Sequence, residues 1–205
     1  MKENNAEESK IKQFWNWIWH SDSFFSWIVA LIFAFVIVKF LFFPVISVIL
    51  ATKLPLVVVE SGSMQHPGTF IGNVIGSQNA FQSWWQEMKG WYEDRGITEE
   101  EAETWSLKTG LEKGDIVIVS GWGTPEVGDV IIFNANTAHP IIHRIVSIEE
   151  VNGEKVYSTK GDNNSDQLYS EKQISEDAVI GKALVRIPKL GWLKLAFVEV
   201  GSLFS

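Results

Sequence analysis

The chain has 205 residues, 46% of them hydrophobic and 20% charged, with ten tryptophans, 13 phenylalanines and no cysteine. The missing cysteines exclude thiol nucleophiles, disulfides, zinc ribbons and thiolate-held clusters. A formal net charge of −8 argues against non-specific nucleic-acid binding, which needs a basic footprint.

Mean hydropathy is +0.06, but the apolar residues are segregated. Residues 1–23 read as a polar tail. From Phe24 to Leu50 the sequence runs FFSWIVALIFAFVIVKFLFFPVISVIL, with Lys39 as its one charge. About 20 apolar helical residues cross a hydrocarbon core roughly 30 Å thick. Residues 24–50 are therefore expected to be a transmembrane anchor, with Lys39 snorkelling near its end and Pro44 kinking or ending the helix. Trp15, Trp17, Trp19 and Trp27 gather at its start, as an interfacial aromatic belt does. A cleavable leader would want a basic n-region and a short apolar stretch, whereas this one is long and aromatic. Lys2, Lys10 and Lys12 precede the span and Lys53 follows it, a count that favours a cytoplasmic N-terminus.

After the span the hydrophobic period changes. Leu56–Val59, Ile116–Ser120, Val130–Phe133, Ile141–Ile148, Lys155–Thr159 and Ala178–Ile187 are short and rich in β-branched residues. Turn signals separate them, the strongest being Asn152-Gly153, a hairpin dipeptide. Residues 51–205 are thus expected to be mainly β, as one antiparallel domain. One stretch differs. Phe81, Trp84, Trp85, Met88 and Trp91 fall at helical spacing, and Thr98 with Glu101 reads as the capping box of a second short helix ending near Leu107. This helical hairpin insertion, about 79–107, holds seven acids against Lys89 and Arg95. Its aromatic face is expected to pack on the β-domain. The last residues, LGWLKLAFVEVGSLFS, suit a final strand or an interfacial segment.

Without cysteine, the candidate nucleophiles are serine, threonine and carboxylates. Ser63 sits in Ser61-Gly62-Ser63-Met64, just past a strand-like run, where the glycine permits a tight turn; a polar turn explains the same residues. His143 lies in the strand-like HPIIHRIVSI and by itself reads as a structural histidine as readily as a base. Lys160-Gly161-Asp162-Asn163-Asn164-Ser165-Asp166 reads as a self-stabilised Asx-rich turn; it lacks the later glutamate of an EF-hand calcium loop.

The combination is more specific than its parts. A membrane helix, then LPLVVVESGSM, GDIVIV, GDVIIF, IIHRIVSI and STKGDNN in that order resembles type I signal peptidase, in its archaeal and endoplasmic-reticulum branch, from residue 24 to about 187. The resemblance implies a signal-peptidase-like antiparallel β fold and a membrane-bound serine endopeptidase that removes signal peptides from exported preproteins. It implies Ser63 as nucleophile and His143, followed by Arg144, as general base. Asp162 and Asp166 fall on the family's two acids, the second being the usual triad member. Ser61, with the Ser63 backbone, would form the oxyanion site. No cofactor or metal is implied. The partners would be signal peptides, the lipid bilayer and the secretion translocon, with no nucleic acid. The expected location is the cell membrane or the endoplasmic-reticulum membrane, single-pass, with residues 51–205 as an extracytoplasmic catalytic domain. Two residues, Gln65 and His66, stand between Met64 and Pro67 where the family has one, and the insertion has no counterpart in the minimal family fold. The alternative is an inactive membrane-anchored scaffold subunit of the same fold.

Overall fold

The computed structural model describes residues 10, 12–17, 19–21, 23–67, 78–135, 137, 139–192 and 194–195. The chain divides into two units, Met1–Ile49 and Leu50–Ser205.

In the first unit, helix α1 (Phe24–Ile37) runs through a π turn (Val38–Phe42) into α2 (Phe43–Ile49). The whole, Phe24–Ile49, is long and apolar enough to cross a membrane. Pro44, expected to kink or end the helix, does not end it; the wider π turn that precedes it accommodates the ring. Of the expected polar tail, residues 10, 12–17, 19 and 20 are helical, and residues 1–9, 11, 18 and 22 lie outside the described residues.

The second unit is built on a seven-stranded sheet, every pair antiparallel, in the order β1-β2-β7-β3-β4-β5-β6. The strands are β1 (Leu56–Val58), β2 (Ile116–Ser120), β3 (Val130–Phe133), β4 (Ile141–Val151), β5 (Glu154–Lys160), β6 (Ile174–Ser175) and β7 (Val179–Ile187). β4 outruns its apolar residues, because the hairpin at Asn152-Gly153 carries the ladder on through Glu149 and Glu150. Both turn residues have positive φ, 55° and 85°, as a type I′ turn requires. β6, two residues long, is too short to show a period.

The apolar run Val130–Phe133 is continuous because both faces of β3 are covered. Val130 and Ile132 join Val59, Met64, Leu111, Val117, Val119 and Ala183. Ile131 and Phe133 join Ile145, Tyr157 and Ile174 on the other side. A third cluster belongs to the insertion, α3 (Gln78–Glu93) and α4 (Glu99–Glu103). Phe81, Trp84, Trp85 and Tyr92 pack there with Ile97, Ala102, Trp105 and Val146 of β4, and Met88 and Trp91 lie at its edge. The insertion thus packs its aromatic face on the sheet, as its spacing predicted. Thr98 Oγ1 accepts the Glu101 N–H at 3.3 Å and starts α4. That helix ends at Glu103, short of the expected Leu107, whose φ of 49° turns the chain back. Residues 192, 194 and 195 are helical rather than a final strand, and 193 and 196–205 lie outside the described residues.

Burial of each large aromatic in the insertion stabilises it by several kcal/mol. Trp85 is fully buried, so Trp85→Ala should lower unfolding free energy by about 3–5 kcal/mol in chemical denaturation of the full chain in detergent. Trp122, 62% exposed, should tolerate alanine within about 0.5 kcal/mol.

Candidate active site

β1 ends at Val58, and the chain turns through residues 61–64, where the Gln65 N–H reaches the Gly62 carbonyl at 3.1 Å. Met64 anchors this turn, because its side chain is buried in the sheet core and its carbonyl accepts the Leu111 N–H at 2.8 Å. The loop after β5 holds the turn from the other side. The Asn163 N–H donates to the Ser63 carbonyl at 2.8 Å, and Asn163 Nδ2 donates to the Gly62 carbonyl at 3.1 Å. Between these supports Ser63 Oγ lies 2.9 Å from His143 Nε2. Ser61 Oγ is 3.1 Å from Ser63 Oγ. Ser61 and Ser63 of one turn and His143, 80 positions beyond Ser63, come together.

His143 is held in β4 opposite Ile131 of β3 and is almost wholly buried. Its Nδ1 is hydrogen-bonded to Glu171 Oε1. Glu171 ends a 3₁₀ turn (Tyr169–Glu171), is fully buried, and is itself oriented by the Leu168 N–H, which donates to Oε2 at 2.6 Å. A carboxylate only accepts, so Nδ1 carries the ring proton and Nε2 is left to accept from the Ser63 hydroxyl. Gly161 leaves room for this pair. A Cβ there would stand 2.8 Å from His143 Nε2 and 2.8 Å from the Ser63 carbonyl oxygen.

The carboxylate on the His143 ring is thus Glu171, and Asp162 and Asp166 make their contacts elsewhere. Asp166 is fully exposed, and its Oδ1 accepts from Trp91 Nε1 at 2.9 Å and the Gln167 N–H at 2.8 Å. Those two donors lower its pKa. Asp162 is fully buried with both oxygens engaged: Arg144 Nε reaches Oδ1 at 2.9 Å, Arg144 Nη2 reaches Oδ2 at 2.7 Å, and His66 Nε2 reaches Oδ2 at 2.9 Å. Burial alone would raise the Asp162 pKa. The Arg144 charge and the hydrogen bonds from His66 and Arg144 outweigh it and hold the carboxyl well below the usual range. Glu171 went unread because a lone acid in an irregular stretch, nine positions beyond Asp162, carries no local cue.

Arg144, noted in sequence only as the neighbour of His143, spends its remaining donors on the insertion side. Nη1 donates to the Ser106 and Gly128 carbonyls at 2.7 and 2.8 Å, and Nη2 to the Leu107 carbonyl at 3.2 Å. All five guanidinium N–H groups are used. From α3, Trp84 Nε1 donates to the Asp162 carbonyl at 2.8 Å.

Lys160, the last residue of β5, is fully buried. Its Nζ donates to the Gly161 carbonyl at 3.2 Å and lies 5.1 Å from the ring centroids of both Trp91 and Tyr92. Burial lowers its pKa to about 8 against the pull of Asp162, Glu171 and Asp166. The unfolded chain still binds this proton above pH 8, so the stability lost to it below pH 8 is regained as pH rises toward the unfolded value of about 10.4. Compared with Lys160→Met, the unsubstituted chain should gain on the order of 3 kcal/mol over that window. Denaturation of both at pH 7.5 and pH 10 checks this; a difference that does not change with pH contradicts it.

No family model matches the chain. The signal peptidase complex catalytic subunit SEC11 of Lachancea thermotolerans is 31% identical over 106 residues, 46% of this chain and 62% of that protein. The subunits of the same name from Eremothecium gossypii and Scheffersomyces stipitis are 31% and 27% identical, over 105 and 104 residues. Each match takes in 46% of this chain, and the chain spans about three-fifths of the length of these relatives. Over about half of its length, the chain is similar to proteins named signal peptidase complex catalytic subunit SEC11.

Proposed function

We propose that the chain is a membrane-bound serine endopeptidase that removes signal peptides from exported preproteins. The observation that carries this reading is the hydrogen-bonded series from Ser63 Oγ to His143 Nε2, 2.9 Å, and from His143 Nδ1 to Glu171. Ser63 Oγ attacks the scissile carbonyl carbon as its proton passes to His143 Nε2. His143 then gives that proton to the leaving amine, which departs with the mature chain and leaves the signal peptide as an ester on Ser63. A water, deprotonated by the same nitrogen, hydrolyses the ester. Glu171 fixes the tautomer and stabilises the imidazolium. The Ser63 backbone N–H and the Ser61 hydroxyl are aimed at the oxyanion, a donor of this kind being worth about 3 kcal/mol.

β1 supports a mode of substrate binding. It pairs with β2 alone among the described residues and leads directly to the Ser63 turn, so an extended peptide can add along it and present small side chains to shallow pockets. Residues 24–50 serve as the anchor, with the N-terminus cytoplasmic and residues 51–205 extracytoplasmic. The relatives are named as subunits of a complex, which supports assembly with other subunits in the endoplasmic-reticulum or cell membrane, near the translocon. Retention of the Ser63–His143 contact opposes the reading as an inactive scaffold.

Ser63→Ala and His143→Ala should each abolish cleavage of a detergent-solubilised preprotein while the protein stays folded. Glu171→Gln should lower kcat by roughly 10²–10⁴, because the ring loses its correct tautomer. Asp162→Asn breaks a buried ion pair and should cost about 3–5 kcal/mol of stability. Asp166→Asn should change the rate by less than about threefold, as surface substitutions do. Wild-type cleavage by a folded Glu171→Gln protein would sink the assignment of the orienting acid.

A further inference from the structure

His66 has no part in the proton relay, yet its surroundings are as closely built as those of the catalytic pair. The ring is fully buried, 4.5 Å from the Trp84 ring and tilted from it by 4°. Its Nε2 is 2.9 Å from Asp162 Oδ2. Asp162 accepts only, so Nε2 is the donor, and burial lowers the His66 pKa in favour of the neutral ring. Gly110, at φ 74°, closes the slot: a Cβ there would stand 2.6 Å from His66 Cδ2 and 2.5 Å from the Met64 carbonyl oxygen.

Three segments meet on this ring. His66 itself is three residues beyond Ser63 in the serine turn. Its hydrogen-bond partner Asp162 is clamped by Arg144, the neighbour of His143 on β4. Its stacking partner Trp84 belongs to α3, and Trp84 Nε1 in turn donates to the Asp162 carbonyl. Met64, between Ser63 and His66, is gripped at its carbonyl by Leu111 and at its sulfur by the Asp162 N–H, at 3.4 Å. The backbone from Ser63 to His66 therefore has little freedom to absorb a displacement at one end.

We infer that His66 is a positioning residue for Ser63: its ring braces the serine turn against the insertion and against the strand of the general base, and so sets the Ser63–His143 separation. It is one of the two residues, with Gln65, that stand between Met64 and Pro67, and the insertion supplies the surface on which it stacks. The extra residue and the extra helices thus work as one device. The inference rests on Ser63 and His143 being the reacting pair. Each of the ring's properties contributes, since glutamine would keep the N–H to Asp162 without the stack and phenylalanine the stack without the N–H.

The test uses the full chain in detergent. With a preprotein substrate, His66→Ala should lower kcat per folded molecule by about 10–100-fold, the scale of a misplacement near 1 Å, with KM within about threefold. His66→Gln should recover part of that loss and stay slower than wild type, and Trp84→Phe combined with His66→Ala should cost less than the product of the two single effects. A kcat unchanged in folded His66→Ala overturns the inference, as does a glutamine variant as slow as the alanine one. If the alanine variant does not fold, the glutamine and phenylalanine variants take its place: both slower than wild type supports the brace, and both at the wild-type rate overturns it. A second readout does not depend on proteolysis. In protein labelled with ¹⁵N-histidine, the His143 ring resonances should shift in His66→Ala and stay in place in Trp122→Ala. Unmoved His143 resonances in His66→Ala overturn the brace, whereas a wild-type chain that cleaves no preprotein overturns the peptidase reading alone.

Discussion

The Arg144–Asp162 pair, fully buried and bidentate, is the contact on which the rest of this site depends. Two charges removed from water are tolerated only if their hydrogen-bonding capacity is spent nearby. Here that condition builds the site. The guanidinium consumes the carbonyls of Ser106, Leu107 and Gly128, which fixes the end of the insertion. The carboxylate consumes His66, which fixes the serine turn. Arg144 adjoins His143 on one strand, and Asp162 adjoins the two asparagines whose loop supports Ser63. A single ion pair therefore locates His143 and Ser63 relative to each other without touching either.

This arrangement separates two tasks that the motif assigned to the same loop. Asp162, held ionised by Arg144 and His66, organises the backbone. Glu171, reaching in from a 3₁₀ turn beyond that loop, addresses the His143 ring. A carboxylate already shared by an arginine and a second histidine is poorly suited to follow charge on a third partner. Separating the roles leaves Glu171 free to do so, with one oxygen on the ring and the other on the Leu168 N–H.

Much of the fold was legible because its signals are local. β-branched runs, the Asn152-Gly153 hairpin and the aromatic spacing of α3 each depend on residues close in sequence, and each matches an element observed. Ser63 and His143 were ambiguous one at a time, and only their order along the chain with the KGDNN segment made them a pair. Glu171 was not legible: its importance is its burial against a residue on another strand, and nothing in LYSEKQI marks a buried acid. The same holds for His66, whose partners Asp162 and Trp84 lie 96 and 18 positions away. Pro44 left two outcomes open in sequence, a kink or an end, and the π turn upstream accommodates its ring so that the helix continues.

The central claim is that Ser63 becomes covalently acylated during peptide-bond cleavage. The full chain can be mixed with a preprotein, quenched in acid within a turnover, and digested for mass spectrometry. The account predicts the preprotein's N-terminal fragment in ester linkage to Ser63. Cleaved preprotein with that fragment consistently found on another side chain, or cleavage persisting in Ser63→Ala, would contradict it.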